Sequence, residues 1–140
     1  MTAEELVGRF YEAFDNNKID EALAAFAEDL EIVDPGMGTV HGRGRFREYL
    51  ETFKRAMPDA HVVVEHRSEA AGTVVVEGRF VATFTGPLAT DDGDVAATGA
   101  SVDLRFADVS RVRDGVIVSY HTYYDQLGLL TQLGLMGEGS

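Results

Sequence analysis

The stretch Val102-Asp103-Leu104-Arg105-Phe106-Ala107-Asp108-Val109-Ser110-Arg111 alternates apolar and polar residues with a period of two, the pattern of a strand with one buried face. Val102, Leu104 and Phe106 share a face, and Asp103, Arg105 and Arg111 take the opposite one. Asp108 falls with the apolar set, so the parity places a carboxylate on the buried side. Strand-like stretches of the same kind run over His61–Ser68, Thr73–Thr85, Thr98–Val112 and Val116–Tyr124. Ala71-Gly72 and Asp114-Gly115 supply the hairpin turns between them.

Upstream of residue 61 the period is helical. Thr2 and Glu5 form a capping box ahead of the stripe Leu6, Val7, Phe10, Tyr11 and Phe14. Asn16-Asn17 ends that helix, and Asp20 is placed to cap a short second one carrying Leu23 and Phe26. Leu30–Asp34 reads as a brief strand stopped at Asp34-Pro35-Gly36. A third helix starts near Gly44 with the stripe Phe46, Tyr49, Leu50, Phe53 and Met57, and Pro58 closes it. Arg43, Arg45, Arg47, Lys54 and Arg55 read as its solvated face. Residues 87–94 form an acidic loop, and Gln126–Met136 a C-terminal helix.

Helices first and consecutive antiparallel strands after give an α+β domain with helices packed on one face of a sheet. Two strands are long enough that the sheet must bend, and a bent sheet closed by helices encloses a conical apolar pocket. Phe10, Phe14, Phe53, Phe80, Phe84, Leu104 and Phe106 are the expected lining. The chain has 140 residues, enough for one domain over residues 1–136, with 137–140 as a frayed tail.

Composition narrows the function classes. With 12 basic and 24 acidic residues the net charge is −12, which speaks against nucleic acid or an anionic membrane as partner. There is no cysteine, so disulfides, thiol nucleophiles and thiolate metal sites are excluded, in keeping with a cytoplasmic location. No secretory signal or membrane span is legible. No HExxH, facial-triad, GxGxxG, Walker or GxSxG pattern occurs, so neither a metal nor a cofactor is expected.

Candidate chemistry therefore rests on inward carboxylates. Asp34 shares a face with Leu30 and Ile32, and Asp108 with Leu104 and Phe106; desolvation there makes an Asp a competent acid or base. In 116–125 the parity leaves both faces open: Ile117, Ser119, His121, Tyr123 and Asp125 form one set, Val116, Val118, Tyr120, Thr122 and Tyr124 the other. Each candidate also has a plain structural reading, Asp34 as a turn residue, Asp108 as an arginine partner and Asp125 as a helix cap. His41 reads as structural, and His61 and His66 as surface residues.

Several motifs carry a likeness beyond these patterns: Phe26-Ala27-Glu28-Asp29 with Asp34-Pro35-Gly36, His41-Gly42-Arg43, Ala56-Met57-Pro58-Asp59, Thr85-Gly86-Pro87-Leu88, Arg111-Val112-Arg113-Asp114-Gly115, and the run from Tyr124-Asp125-Gln126-Leu127-Gly128 to Leu135. From Phe10 to Leu135 the chain resembles the nuclear-transport-factor-2-like (ketosteroid-isomerase-like) α+β cone, and within it the SnoaL-like polyketide cyclases. The resemblance implies a cofactor-independent intramolecular aldol ring closure on a small apolar carbonyl compound, with Asp125 as general acid/base and His121 and Tyr123 as donors or relays. It also implies a homodimer. Ketosteroid isomerase offers a second template, with Asp34 as base and Asp108 in the oxyanion site, although its oxyanion tyrosine falls on Phe10 and Tyr11 is one residue off. The chain departs from many cyclases at Phe84, and at Ser119 and His121. A non-catalytic domain that binds an apolar ligand or dimerises is the remaining alternative.

Overall fold

The computed structural model describes residues 1–136; the expected tail, 137–140, lies outside the described residues. Helix α1 (Ala3–Asp15) begins at the Thr2–Glu5 capping box, with both reciprocal hydrogen bonds formed. Helix α2 (Ile19–Leu23) follows, its N-cap being Lys18 rather than Asp20, which sits in the first turn and pairs with Arg47. The strand expected at Leu30 starts earlier, as β1 (Phe26–Asp34), and a hairpin at Asp34-Pro35-Gly36 leads to a strand the periodicity did not reveal, β2 (Gly38–His41). Four residues are too few to display alternation. Helix α3 (Arg43–Ala56) comes next.

The long strands are β3 (His61–Ala70), β4 (Thr73–Thr83), β7 (Ser101–Arg113) and β8 (Val116–Tyr124). Between β4 and β7 the acidic loop contains a small separate hairpin, β5 (Leu88–Thr90) and β6 (Gly93–Val95). Helix α4 (Gln126–Leu133) closes the described chain. The main sheet has the order β2-β1-β8-β7-β4-β3. All neighbours are antiparallel except β1 and β8, which run parallel, so the sheet is mixed rather than purely antiparallel. It is curled but not closed. Both expected tight turns carry positive φ at their two central residues, Ala71 (51°) and Gly72 (82°), Asp114 (51°) and Gly115 (80°), the backbone of a type I′ hairpin turn.

Apolar stripes decide what the helices cover. Val7, Phe10, Tyr11 and Phe14 bury against the concave side of the sheet, as do Phe46 and Leu50 of α3. The aromatic core is continuous: Phe26 meets Phe10 edge-on at 4.8 Å and Phe46 at 4.6 Å between ring centroids, spacings at which aromatic pairs gain beyond simple area burial. Lys54 departs from the solvated-face reading of α3. It is buried, donates to the Ala60 carbonyl at 2.5 Å and lies 4.3 Å from the Phe14 ring centroid, because it follows Phe53 into the seam where α3 meets α1.

Candidate functional site

A cavity of about 80 Å³ opens where α1, α3 and α4 meet the concave face of the sheet. Helices supply Phe10, Tyr11, Phe14, Tyr49, Phe53 and Leu129; strands supply Phe80, Leu104, Phe106, Asp108, Tyr120 and Tyr124. Of the expected lining residues, Phe84 alone is not among these. It lies just past the end of β4, fully buried in the core, where its backbone pairs with Gly99 and Ala100.

Asp108 is the carboxylate in this wall, and the parity of β7 put it there. It is 2% exposed. Its Oδ2 accepts hydrogen bonds from the Tyr11 hydroxyl at 2.7 Å and the Tyr120 hydroxyl at 2.8 Å, and its Oδ1 accepts none. Burial pushes the carboxyl up from an ordinary 3.8 to about 6; the neighbouring Thr122, Tyr11 and Tyr120 hydroxyls pull against this, and the nearby Asp34 charge adds to it. Tyr11 and Tyr120 are themselves held well above the usual phenol range, by burial first and then by Asp108. They stay neutral donors across the physiological range.

Asp34 is equally buried but differently engaged. Oδ1 accepts from the backbone N–H of Gly36 at 2.7 Å and of Met37 at 3.0 Å, which fixes the hairpin turn; Oδ2 accepts from Tyr49 at 2.8 Å and Tyr124 at 3.0 Å. A carboxylate offers about four acceptor sites, and Asp34 has filled them. It is at once the turn residue and the anchor for two cavity hydroxyls. The two carboxylates thus differ in kind: Asp34 is saturated, and Asp108 keeps a free oxygen.

The cluster implied around Asp125 is not assembled in the cavity. Asp125 is exposed and serves as N-cap of α4, accepting from the Gly128 N–H at 2.9 Å. His121 contacts Glu31 Oε1 at 2.7 Å on the outer side of the sheet, with His41 3.8 Å from the other Glu31 oxygen. Tyr123 is 51% exposed. The cause is a β-bulge. Arg111 pairs with Ser119 but Val112 with Ile117, so Val118 is an extra residue and parity reverses across it. Ile117 points inward before the bulge; Tyr120, Thr122 and Tyr124 do so after it.

Sequence reading passed over Tyr49, Tyr120, Thr122 and Tyr124 as site residues and left Tyr11 one position off a template. A signal was present for two of them. Tyr11 and Tyr49 sit on apolar helix stripes, and a buried tyrosine hydroxyl requires a partner. Among the described residues no group of His, Asp and Glu is arranged to hold a metal ion, and no helix is long and apolar enough to cross a membrane.

The comparisons agree with this architecture. A candidate polyketide cyclase from Pseudomonas putida KT2440 superimposes with a TM-score of 0.79 at 23% identity, covering 95% of this chain and 98% of its own. A SnoaL-like candidate cyclase from Jannaschia sp. CCS1 gives 0.82 at 18% identity, covering 96% and 92%. A protein of ketosteroid isomerase-like fold from Catenulispora acidiphila DSM 44928, solved in complex with trimethylamine, gives 0.77 at 23% identity, covering 96% and 95%. At these identities the likeness concerns the fold. No curated protein matches the sequence. The SnoaL-like domain model matches residues 7–120, most of the chain and the span that contains both buried carboxylates, and the protein therefore belongs to the SnoaL-like domain family.

Proposed function

We propose that the protein catalyses proton transfer at carbon next to a carbonyl, in a cyclase-type reaction on a small apolar carbonyl compound, with Asp108 as general acid/base. The observation that carries this is the Asp108 carboxyl itself: buried in an apolar wall, near half-ionised at about pH 6, and with Oδ1 unpartnered. A base poised close to neutrality with one oxygen free of hydrogen bonds has what general base catalysis requires.

In this reading Oδ1 takes a proton from the carbon α to a substrate carbonyl, leaving an enolate. Protonation of Asp108 weakens its hold on the Tyr11 and Tyr120 hydroxyls, which become donors for the enolate oxygen. The enolate carbon attacks a second carbonyl of the same molecule, and a C–C bond forms as that C=O becomes an alkoxide. Asp108 returns its proton to the alkoxide, so the product is an isomer of the substrate. Asp34 acts as a positioning residue that orients Tyr49 and Tyr124.

Exchange of α-protons on monocyclic ketones in D₂O, followed by ¹H NMR, tests the first step without knowledge of the natural substrate. The expected result is acceleration over buffer by the wild type and none by Asp108→Asn. Equal exchange in the two proteins, or none above buffer for any ketone in the panel, overturns the assignment.

We further propose a homodimer through the outer sheet face, where Val75 pairs with Val109 and Ala107 with Tyr123 across neighbouring strands. Light scattering that returns the 15.2 kDa mass of one chain at micromolar concentration overturns it.

A further inference from the structure

Charge balance in the cavity is one-sided. Nine of its fifteen lining residues are aromatic, Asp108 is among the rest, and none is Lys, Arg or His. The buried Lys54 is spent on the Ala60 carbonyl and the Phe14 ring. An ionised carboxylate taken out of water without a compensating cation is costly. Hydrogen bonds from Tyr11 and Tyr120 answer only one of its oxygens. The tyrosine hydroxyls of the cavity already donate to Asp108 and Asp34. What the site still offers a ligand is therefore acceptor capacity and π-surface, and what it lacks is positive charge.

We infer that the cavity binds a small organic ammonium ion, held among its aromatic rings with the Asp108 carboxylate as counter-ion. Phenols that donate to carboxylates are more electron-rich, which strengthens their attraction for a cation. Burial of the pair is offset by charge complementarity at Oδ1, where a neutral ligand would leave the carboxylate charge unbalanced. The net charge of −12 also raises the local concentration of cations around the molecule. This goes beyond the proton-transfer reading and holds or fails independently of it, because it concerns binding and not turnover.

Choline and its neutral carbon isostere, 3,3-dimethylbutan-1-ol, differ only in the charged atom, so calorimetric titration of both against the intact protein isolates the charge. Sodium chloride equalises ionic strength. Asp108 is faced by Tyr11 from α1, Tyr120 and Thr122 from β8, and Asp34 from β1, and the tyrosines remain neutral throughout. Near pH 8 choline is expected to bind at least about tenfold tighter than the isostere, which corresponds to roughly 1.4 kcal/mol. The preference disappears near pH 5, where Asp108 is protonated, and in Asp108→Asn at either pH. Equal affinity of the two probes near pH 8, no choline binding, or a preference that survives in folded Asp108→Asn overturns the inference. Should that variant fail to fold, ¹³C titration of the wild-type carboxyls decides: choline must lower the midpoint of the one near 6, and an unmoved midpoint overturns it.

Discussion

Tyr11 and Asp108 stand 97 positions apart in the chain, yet the phenol hydroxyl of the first donates to Oδ2 of the second at 2.7 Å in the buried interior. The contact joins the first helix to the middle of the longest strand and crosses the cavity wall. It sets one carboxylate oxygen in place and leaves the other buried without a hydrogen-bond partner. Stability and the proposed chemistry therefore meet in one pair, which makes it accessible to measurement.

Replacing Tyr11 by Phe removes one of the donors that hold the Asp108 carboxyl down. The variant should fold, lose about 1–3 kcal/mol of stability in urea, and shift the Asp108 midpoint above 6 in a ¹³C titration. A lower midpoint would contradict the hydrogen-bond arrangement.

Asp108 should also leave a mark on stability against pH. Its folded-state value, about 6, lies above its ordinary 3.8. Between those values the folded protein holds a proton that the unfolded chain has released, so this group's contribution falls as pH rises through the window. The stability difference between wild type and Asp108→Asn should move in favour of the variant by about 2–3 kcal/mol from pH 4 to pH 7. Urea titrations of both proteins at three pH values would show it, and parallel curves would speak against a raised carboxyl.

Asp125 carries a different expectation. As N-cap of α4 it should tolerate Asp125→Ser and Asp125→Asn, since both side chains accept from the Gly128 N–H, while Asp125→Ala costs about 1 kcal/mol. If Asp125→Asn removed all ketone exchange and Asp125→Ala did no more, the cap would be incidental and the residue chemical.

Gly78 offers a test of packing at the cavity. A Cβ there would come within 2.3 Å of the Val63 carbonyl oxygen and 3.2 Å of the Phe106 ring. Gly78→Ala should cost about 2–4 kcal/mol through backbone displacement of β3 and displace Phe106 in the cavity wall, visible as loss of choline affinity and of thermal stability together.

Local patterns carried far in this chain. The capping box at Thr2 and Glu5, the helical stripes through Phe10 and Phe46, the positive-φ turns at Ala71-Gly72 and Asp114-Gly115, and the alternation that turned Asp108 inward are all short-range facts. Neighbouring side chains and backbone sterics set them, and sequence displays those directly. Asp34 and Asp108 were legible as inward carboxylates for the same reason.

What the tertiary structure alone decided was non-local. One extra residue at Val118 reverses the faces of β8 and carries Tyr120, Thr122 and Tyr124 into the cavity while His121 and Tyr123 turn out; the bulge depends on how β8 pairs with β7, and no pattern within β8 announces it. The division between a saturated Asp34 and a half-satisfied Asp108 was hidden too, since their donors come from α1, α3, β8 and the turn after β1. Periodicity determines which way a side chain points, but only the assembled sheet and helices determine what it meets there.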